Sequence, residues 1–155
     1  MADAASYVSN LPYHTERMHA AAVYCSDGRV CEQYDDFLQN GLHLPRYDRV
    51  ALPGGPACLA GYSQARIEEA GLLDELKFLV TAHGLDKVVL IQHEDCAFYG
   101  VSLEVAPEGK ERLQKADLVR AAYMVRRVID TKLEILGFFA RRTAQGVAFE
   151  PVETD

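Results

Sequence analysis

Three residues with metal-binding side chains stand at the ends of two short apolar segments. Cys25 closes segment 20–25 (AAAVYC), while His93 closes segment 87–93 (KVVLIQH) and is followed at an interval of three by Cys96. Thiolate sulfur and imidazole nitrogen are ligands that zinc prefers, and a turn leaving a strand can direct both side chains of a His-x-x-Cys pair at one ion. Two thiolates and one imidazole leave a fourth position open, which is typical of a catalytic site. We therefore expect one Zn²⁺ per chain on Cys25, His93 and Cys96.

Each candidate ligand taken alone has a plainer interpretation. A single cysteine at the end of an apolar strand is usually a small core residue, and a single histidine after a strand is usually a hydrogen-bonded loop residue. Cys31 and Cys58 are further thiols, but neither stands at the end of a predicted strand. The joint pattern, and no single residue, favours a metal centre.

A carboxylate and a guanidinium follow the first candidate ligand, in the order Cys25-Ser26-Asp27-Gly28-Arg29. A carboxylate beside a metal can accept a hydrogen bond from the reacting water. A bidentate pair with Arg29 would hold Asp27 away from the metal itself. In isolation the two residues would be a surface ion pair of little energy, but next to a candidate ligand we interpret them as catalytic.

The bulk composition limits the kinds of partner. The 155 residues predict one domain over 1–155, and 49% apolar residues are sufficient for a core without disulfides. The net charge of −7 argues against binding to nucleic acid or to an anionic membrane, because both would need a basic patch. A small-molecule substrate is the expected partner.

The sequence carries neither a signal-peptide pattern at its start nor an apolar run of the roughly 20 residues that a membrane span needs. We therefore expect a cytoplasmic protein. In that compartment four cysteines are thiols, metal ligands or nucleophiles rather than disulfides.

Strand and helix patterns alternate along the chain. The expected strands are 20–25, 48–53, 87–93, 133–140 and 147–152, with residues 141–146 as the last turn. The expected helices are 30–41, a region 56–83 interrupted near Gly71 and ended by Gly84, and 113–132.

This alternation predicts an α/β fold with a mostly parallel sheet of order 2-1-3-4, flanked by helices and closed by a C-terminal antiparallel edge strand. In that order the direction of winding reverses between strands 1 and 3, and ligands bind at such a point, outside the carboxyl ends of the strands. Cys25 and His93 end those two strands, so the topology would bring them together.

The two motifs, CSDGRV and HEDCA, resemble those of the β-class carbonic anhydrases. That family has Cys-Ser-Asp-Ser-Arg after its first strand and His-x-x-Cys-Gly after its third. The resemblance implies zinc on Cys25, His93 and Cys96, with Asp27 and Arg29 as the catalytic dyad. It implies a zinc lyase in which zinc-bound hydroxide converts carbon dioxide reversibly to bicarbonate, in a homodimer or higher homo-oligomer. The tail LEILGFFARRTAQGVAFEPV is similar to the closing hairpin of the family, so the resemblance runs from about Met18 onward.

The chain departs from the family pattern at three places. Gly28 stands where serine is usual, Ala97 where glycine is usual, and Leu52-Pro53-Gly54-Gly55-Pro56 replaces an Arg-Asn-Ala-Gly-Asn segment that shapes the pocket. We accordingly assign Gly54, Gly55 and Ala97 to the substrate pocket.

Three alternatives remain open at this point. The same zinc hydroxide could act on CS2 or COS, or the domain could be a non-catalytic zinc-binding module. The Leu-Pro-Gly-Gly loop is also similar to a loop of the DJ-1-like superfamily, in which Cys96 would be a nucleophile. That last alternative leaves the Cys25 to Arg29 motif unexplained.

Overall fold

Five strands form one sheet in the computed structural model, which describes residues 5–155. In chain order they are β1 (Ala20–Cys25), β2 (Asp48–Leu52), β3 (Lys87–His93), β4 (Glu134–Thr143) and β5 (Gly146–Val152). The order across the sheet is β2-β1-β3-β4-β5, with β5 antiparallel to β4 and all other neighbours parallel. The predicted fold class and strand order are therefore confirmed.

Three α-helices flank the sheet. They are α1 (Cys31–Asp36), α2 (Arg66–His83) and α3 (Pro107–Val128). Shorter helical turns occupy the connections: 3₁₀ turns at Gly55–Ala60 and Ser63–Ala65, and π turns at Phe37–Gly41 and Phe98–Ser102. No helix within residues 5–155 combines the length and the apolar character needed to cross a membrane.

Side chains of the central strands alternate between two apolar clusters, as expected for a sheet covered on both faces. Ala21 and Val23 of β1 pack in one cluster with side chains of α2 and α3. Ala22 and Tyr24 face the other cluster, together with Tyr34 of α1. Burial on both faces explains why the central strands read as continuous apolar runs.

The predicted interruption of the second helical region at Gly71 is wrong. Helix α2 runs through Gly71, because one glycine in an exposed helix position costs only about 1 kcal/mol. The chain breaks instead at Gly61, whose φ of 92° ends the preceding 3₁₀ turn. Gly84 ends α2 in the left-handed conformation, as predicted.

Helix α3 and the last hairpin also differ from the sequence prediction in their bounds. Helix α3 begins at Pro107 rather than at 113, since proline at the first helical position has its φ preset for a helix. It ends at Val128 rather than at 132. The last hairpin turns at Ala144 and Gln145, so β4 is longer than predicted.

Candidate metal centre

The carboxyl ends of β1 and β3 lie at the point where the winding of the sheet reverses. Pairing between these strands stops at Val23 and Leu90. Beyond that pair, Cys25 is in register with Leu52 of β2 on one side, and His93 with Ala140 of β4 on the other. The two strands therefore separate at their ends and leave room between Cys25 and His93.

The three predicted ligands converge in this gap. One ligand atom each of Cys25, His93 and Cys96 lies within 4.8 Å of the others, and the two Sγ atoms are 4.0 Å apart. All three residues are buried. Asp95, in the left-handed conformation with φ 59°, turns the chain so that Cys96 lies beside His93.

The imidazole of His93 has the form that a metal ligand needs. Its Nδ1 lies 2.7 Å from the carbonyl oxygen of Glu94, and since a carbonyl only accepts, Nδ1 carries the proton. Nε2 is therefore an acceptor, and it is buried with no hydrogen-bond partner among residues 5–155. Buried polar atoms are almost always partnered. The lone pair of Nε2 beside two thiols fits a metal ion.

The contact between the Cys25 and Cys96 thiols shifts their pKa values in opposite directions. Hydrogen bonding from Cys96 lowers the pKa of Cys25, with a further donor at the backbone N–H of Gly54, whose nitrogen is 3.4 Å from Cys25 Sγ. The same contact with Cys25, together with burial, raises the pKa of Cys96. A thiolate is thus favoured at Cys25 before any cation is added.

Asp27 is held by Arg29 beside this cluster. The guanidinium donates from Nε and Nη2 to both carboxylate oxygens at 2.6–3.1 Å, and the backbone N–H of Arg29 adds a bond of 2.9 Å. These hydrogen bonds lower the pKa of Asp27 to about 2. The carboxylate is therefore ionised at any ordinary pH and fixed in orientation, as the sequence interpretation requires.

A cleft of about 180 Å³ opens beside His93 and Asp27. It is lined by Asp27, Arg29, Val30, Gln33, His93, Glu94, Asp95, Ala140, Arg142 and Val147. The residues that we assigned to the substrate pocket differ from this lining. Gly54 and Gly55 are buried behind Cys25, while Ala97 is exposed at the start of the Phe98–Ser102 turn.

Gly54 and Gly55 instead allow the loop after β2 to pack closely against the Phe98 ring and the backbone of β1. A Cβ on Gly54 would lie 2.6 Å from the ring of Phe98, and a Cβ on Gly55 would lie 2.7 Å from the backbone of Tyr24. Both residues have positive φ, which side chains disfavour. The glycine pair therefore brings the N–H of Gly54 to the Cys25 sulfur.

Four buried polar residues next to the ligands were missed by the sequence interpretation. They are Gln92, Tyr99, Gln114 and Asp117, each no more than 1% exposed. Gln92 lies within the predicted strand 87–93, and Gln114 and Asp117 lie within the predicted helix 113–132. The one available signal was a glutamine directly after the apolar run VVLI of that strand. Tyr99 is in the core.

The model of a protein family described as putative carbonic anhydrase matches residues 15–150. The chain belongs to this family. No sequence among curated proteins gives a significant match. The predicted family resemblance is confirmed, and the match begins close to Met18, where the resemblance was expected to start.

Solved carbonic anhydrases share the fold. A carbonic anhydrase from Streptococcus mutans has 15% identity and a TM-score of 0.61, covering 95% of this chain and 88% of that chain. A β-carbonic anhydrase from Trichomonas vaginalis has 14% identity, a TM-score of 0.58 and coverage of 96% and 88%. Tetrameric β-carbonic anhydrases from Sordaria macrospora have 13% identity, a TM-score of 0.51 and coverage of 84% and 79%. At these identities the likeness concerns the fold.

Within this carbonic anhydrase family member, the other two thiols lie outside the cluster. Cys31 donates to the backbone oxygen of Asp27, and Cys58 to that of Gly55. The DJ-1-like alternative is disfavoured, because Cys96 is fully buried and its pKa is raised, whereas a nucleophile needs access and a thiolate.

Proposed function

We propose that the chain binds one zinc ion on Cys25, His93 and Cys96 and catalyses the reversible hydration of carbon dioxide to bicarbonate. Membership of a carbonic anhydrase family and the shared fold support this activity. The choice of site rests on the buried, unpartnered Nε2 of His93, a residue whose ring offers a nitrogen within 4.8 Å of two thiol sulfurs. When bound there, zinc supplies Lewis-acid chemistry that makes water a nucleophile near neutral pH.

Asp27 orients the reacting water in this proposal. Its carboxylate is ionised and can only accept, so a water beside it must point a proton toward it. Arg29 binds both carboxylate oxygens, which would keep Asp27 from moving onto the metal. Asp27 therefore acts as an acceptor in the reaction and Arg29 as its positioning residue.

The apolar wall of the cleft suits the reactant. Val30, Ala140 and Val147 give it an apolar side, which a neutral linear molecule such as carbon dioxide can contact without losing hydrogen bonds. The guanidinium groups at the same cleft are paired with carboxylates, Arg29 with Asp27 and Arg142 with Glu94.

We further propose a homodimer or higher homo-oligomer, as in the tetrameric relatives from Sordaria macrospora. Large apolar side chains on the surface, such as Ile67 and Phe78, are 85% and 62% exposed in the single chain. The cytoplasmic location expected from the sequence stays a prediction.

Stopped-flow hydration of carbon dioxide, run with metal analysis on the same sample, tests the proposed function. We expect activity that scales with zinc content, disappears after chelation and returns when zinc is added. Asp27→Asn should keep the zinc and lose most of the activity. Zinc binding with no hydration would favour the non-catalytic module, and turnover of CS2 or COS alone would favour the sulfur substrates.

A further inference from the structure

A chain of buried hydrogen bonds starts at a carboxylate that the proposed mechanism does not use. Asp117 of α3 has a fully buried side chain, and both of its oxygens are partnered. Tyr62 and Tyr99 donate their hydroxyl protons to Oδ2 at 2.7 and 2.8 Å, and Arg120 donates to Oδ1 at 2.6 Å. The carboxylate therefore fixes the direction of the Tyr99 hydroxyl, which is left as an acceptor toward the sheet.

Gln92 connects that hydroxyl with the glycine loop. Its Nε2 lies 3.2 Å from the Tyr99 hydroxyl and 3.2 Å from the carbonyl oxygen of Gly54, so the two amide protons have one acceptor each. Because Asp117 takes the Tyr99 proton, Tyr99 can only accept from Gln92. The orientation of the Gln92 amide is thereby determined.

Both ends of the candidate metal centre depend on this amide. The N–H of Gly54, whose carbonyl Gln92 binds, donates to Cys25 Sγ. On the other side, Gln114 donates to Gln92 Oε1 at 3.4 Å and to the carbonyl of His93 at 2.8 Å. The network thus holds the backbone at Gly54 and at His93, one on each side of the gap.

We propose that Gln92, held by Tyr99 and Asp117, is a positioning residue that sets the N–H···S bond on Cys25 and the place of His93, and so the metal affinity of the centre. The proposal rests on the proposed zinc site. Outer partners of metal ligands change metal affinity or activity by roughly 10- to 100-fold when removed.

Tyr99→Phe and Gln92→Met test the proposal, with Tyr34→Phe as the matched control. Tyr34 and Tyr99 are both fully buried tyrosines, but the Tyr34 hydroxyl has no partner among the described residues. Zinc affinity is measured by competition with a chromophoric chelator, and the sulfur-to-metal charge-transfer band is recorded on the Co²⁺ form. We expect Tyr99→Phe and Gln92→Met to weaken zinc binding roughly tenfold or more and to shift the band. Tyr34→Phe should leave both unchanged.

The outcomes separate this proposal from the zinc site itself. If the unaltered protein binds no zinc, the proposed function fails. If the unaltered protein binds zinc and Tyr99→Phe has the same zinc affinity and the same Co²⁺ spectrum, the positioning role proposed for Gln92 is wrong. An equal loss of zinc affinity in Tyr34→Phe would also overturn the proposal, because removing any buried tyrosine hydroxyl would then have the same effect. Thermal melting of the metal-free variants checks that each is folded, and Tyr99→Phe, which removes a single oxygen, decides the case if Gln92→Met does not fold.

Discussion

Arg29 binds both carboxylate oxygens of Asp27, and this contact decides the protonation of the group nearest the proposed reaction. The pKa of Asp27 falls from 3.8 to about 2, chiefly because of the side-chain hydrogen bond from Arg29. Asp27 is only 17% exposed, whereas Arg29 is 66% exposed. The carboxylate is thus sheltered enough to be oriented, while the guanidinium lies at the surface between Asp27 and Asp95.

Removing Arg29 should shift the titration of Asp27. In Arg29→Gln we expect the pKa of the Asp27 carboxyl to rise from about 2 toward its ordinary value of 3.8, as followed by NMR of the carboxyl carbon. Since the folded pKa is lowered, the pair stabilises the fold above pH 3.8 and loses that contribution as the pH falls through 2. The free energy of unfolding of Arg29→Gln should therefore be lower than that of the parent at pH 6 and converge with it below about pH 2. Arg46→Gln is the control, and an unmoved Asp27 titration in Arg29→Gln would contradict the assignment.

Loss of a ligand should abolish metal binding. We expect about one zinc per chain in the parent and less than a tenth of that in His93→Ala or Cys25→Ala, measured by atomic emission after gel filtration. Cys58→Ala is the matched control, because Cys58 is as buried as the ligand thiols but lies outside the cluster. Full zinc content in His93→Ala would exclude the histidine as a ligand.

The loop after β2 packs directly behind Cys25 of the candidate metal centre. The segment Leu52 to Pro56 was singled out by sequence as a departure from the family pattern, and its Gly54 and Gly55 were assigned to the substrate pocket. The structure places Gly55 directly behind the backbone of Tyr24 and Cys25, where no side chain has room. The loop therefore packs against the end of β1 and holds Cys25, and its glycines are needed for that contact.

Alanine at Gly55 should damage the fold as well as the site. Its φ of 51° and the overlap of a Cβ with Tyr24 predict a loss of about 1–3 kcal/mol in the free energy of unfolding, measured by urea denaturation. Gly71→Ala is the control, because Gly71 is an exposed helical glycine with open space around it. That substitution should stabilise the protein by about 0.5–1 kcal/mol. Equal stability of Gly55→Ala and the parent would mean that the loop tolerates a side chain.

Strands and helices could be predicted from the sequence where the local pattern of apolar residues matches the burial of the element. The continuous apolar runs of β1 and β3 could be identified because both faces of a central strand are buried. The start of α3 at Pro107 was missed because the first turns, PEGKER, lack an apolar stripe. The buried polar network was missed for a different reason: the contact between Gln92 and Gly54 joins residues 38 positions apart, which no local pattern shows.

At the scale of the whole molecule, the order β2-β1-β3-β4 determines where chemistry can occur. It places the carboxyl ends of β1 and β3 at the reversal of winding, and the cluster of Cys25, His93 and Cys96 follows from where those strands end. The convergence of these three residues could be predicted from sequence, because their positions coincide with the strand ends. The lining of the cleft could not be predicted from sequence, because Arg142 and Val147 contribute to it from the last hairpin, far along the chain from Asp27.

The oligomeric state is a separate prediction at this scale. Apolar surface at Ile67, Phe78, Val101 and Tyr123 is more than 60% exposed at each residue, and association would bury part of it. We expect sedimentation velocity to give a mass at least twice the 17.2 kDa of one chain. A species that stays at 17.2 kDa at micromolar concentration would contradict the expectation.

X-ray absorption at the zinc edge of the zinc-loaded protein tests the central claim most directly, because it reports ligand type and number around the ion. The account predicts two sulfur ligands at about 2.3 Å and one imidazole nitrogen at about 2.0–2.1 Å. A first shell without sulfur, or with four sulfurs, would contradict a centre built from Cys25, His93 and Cys96.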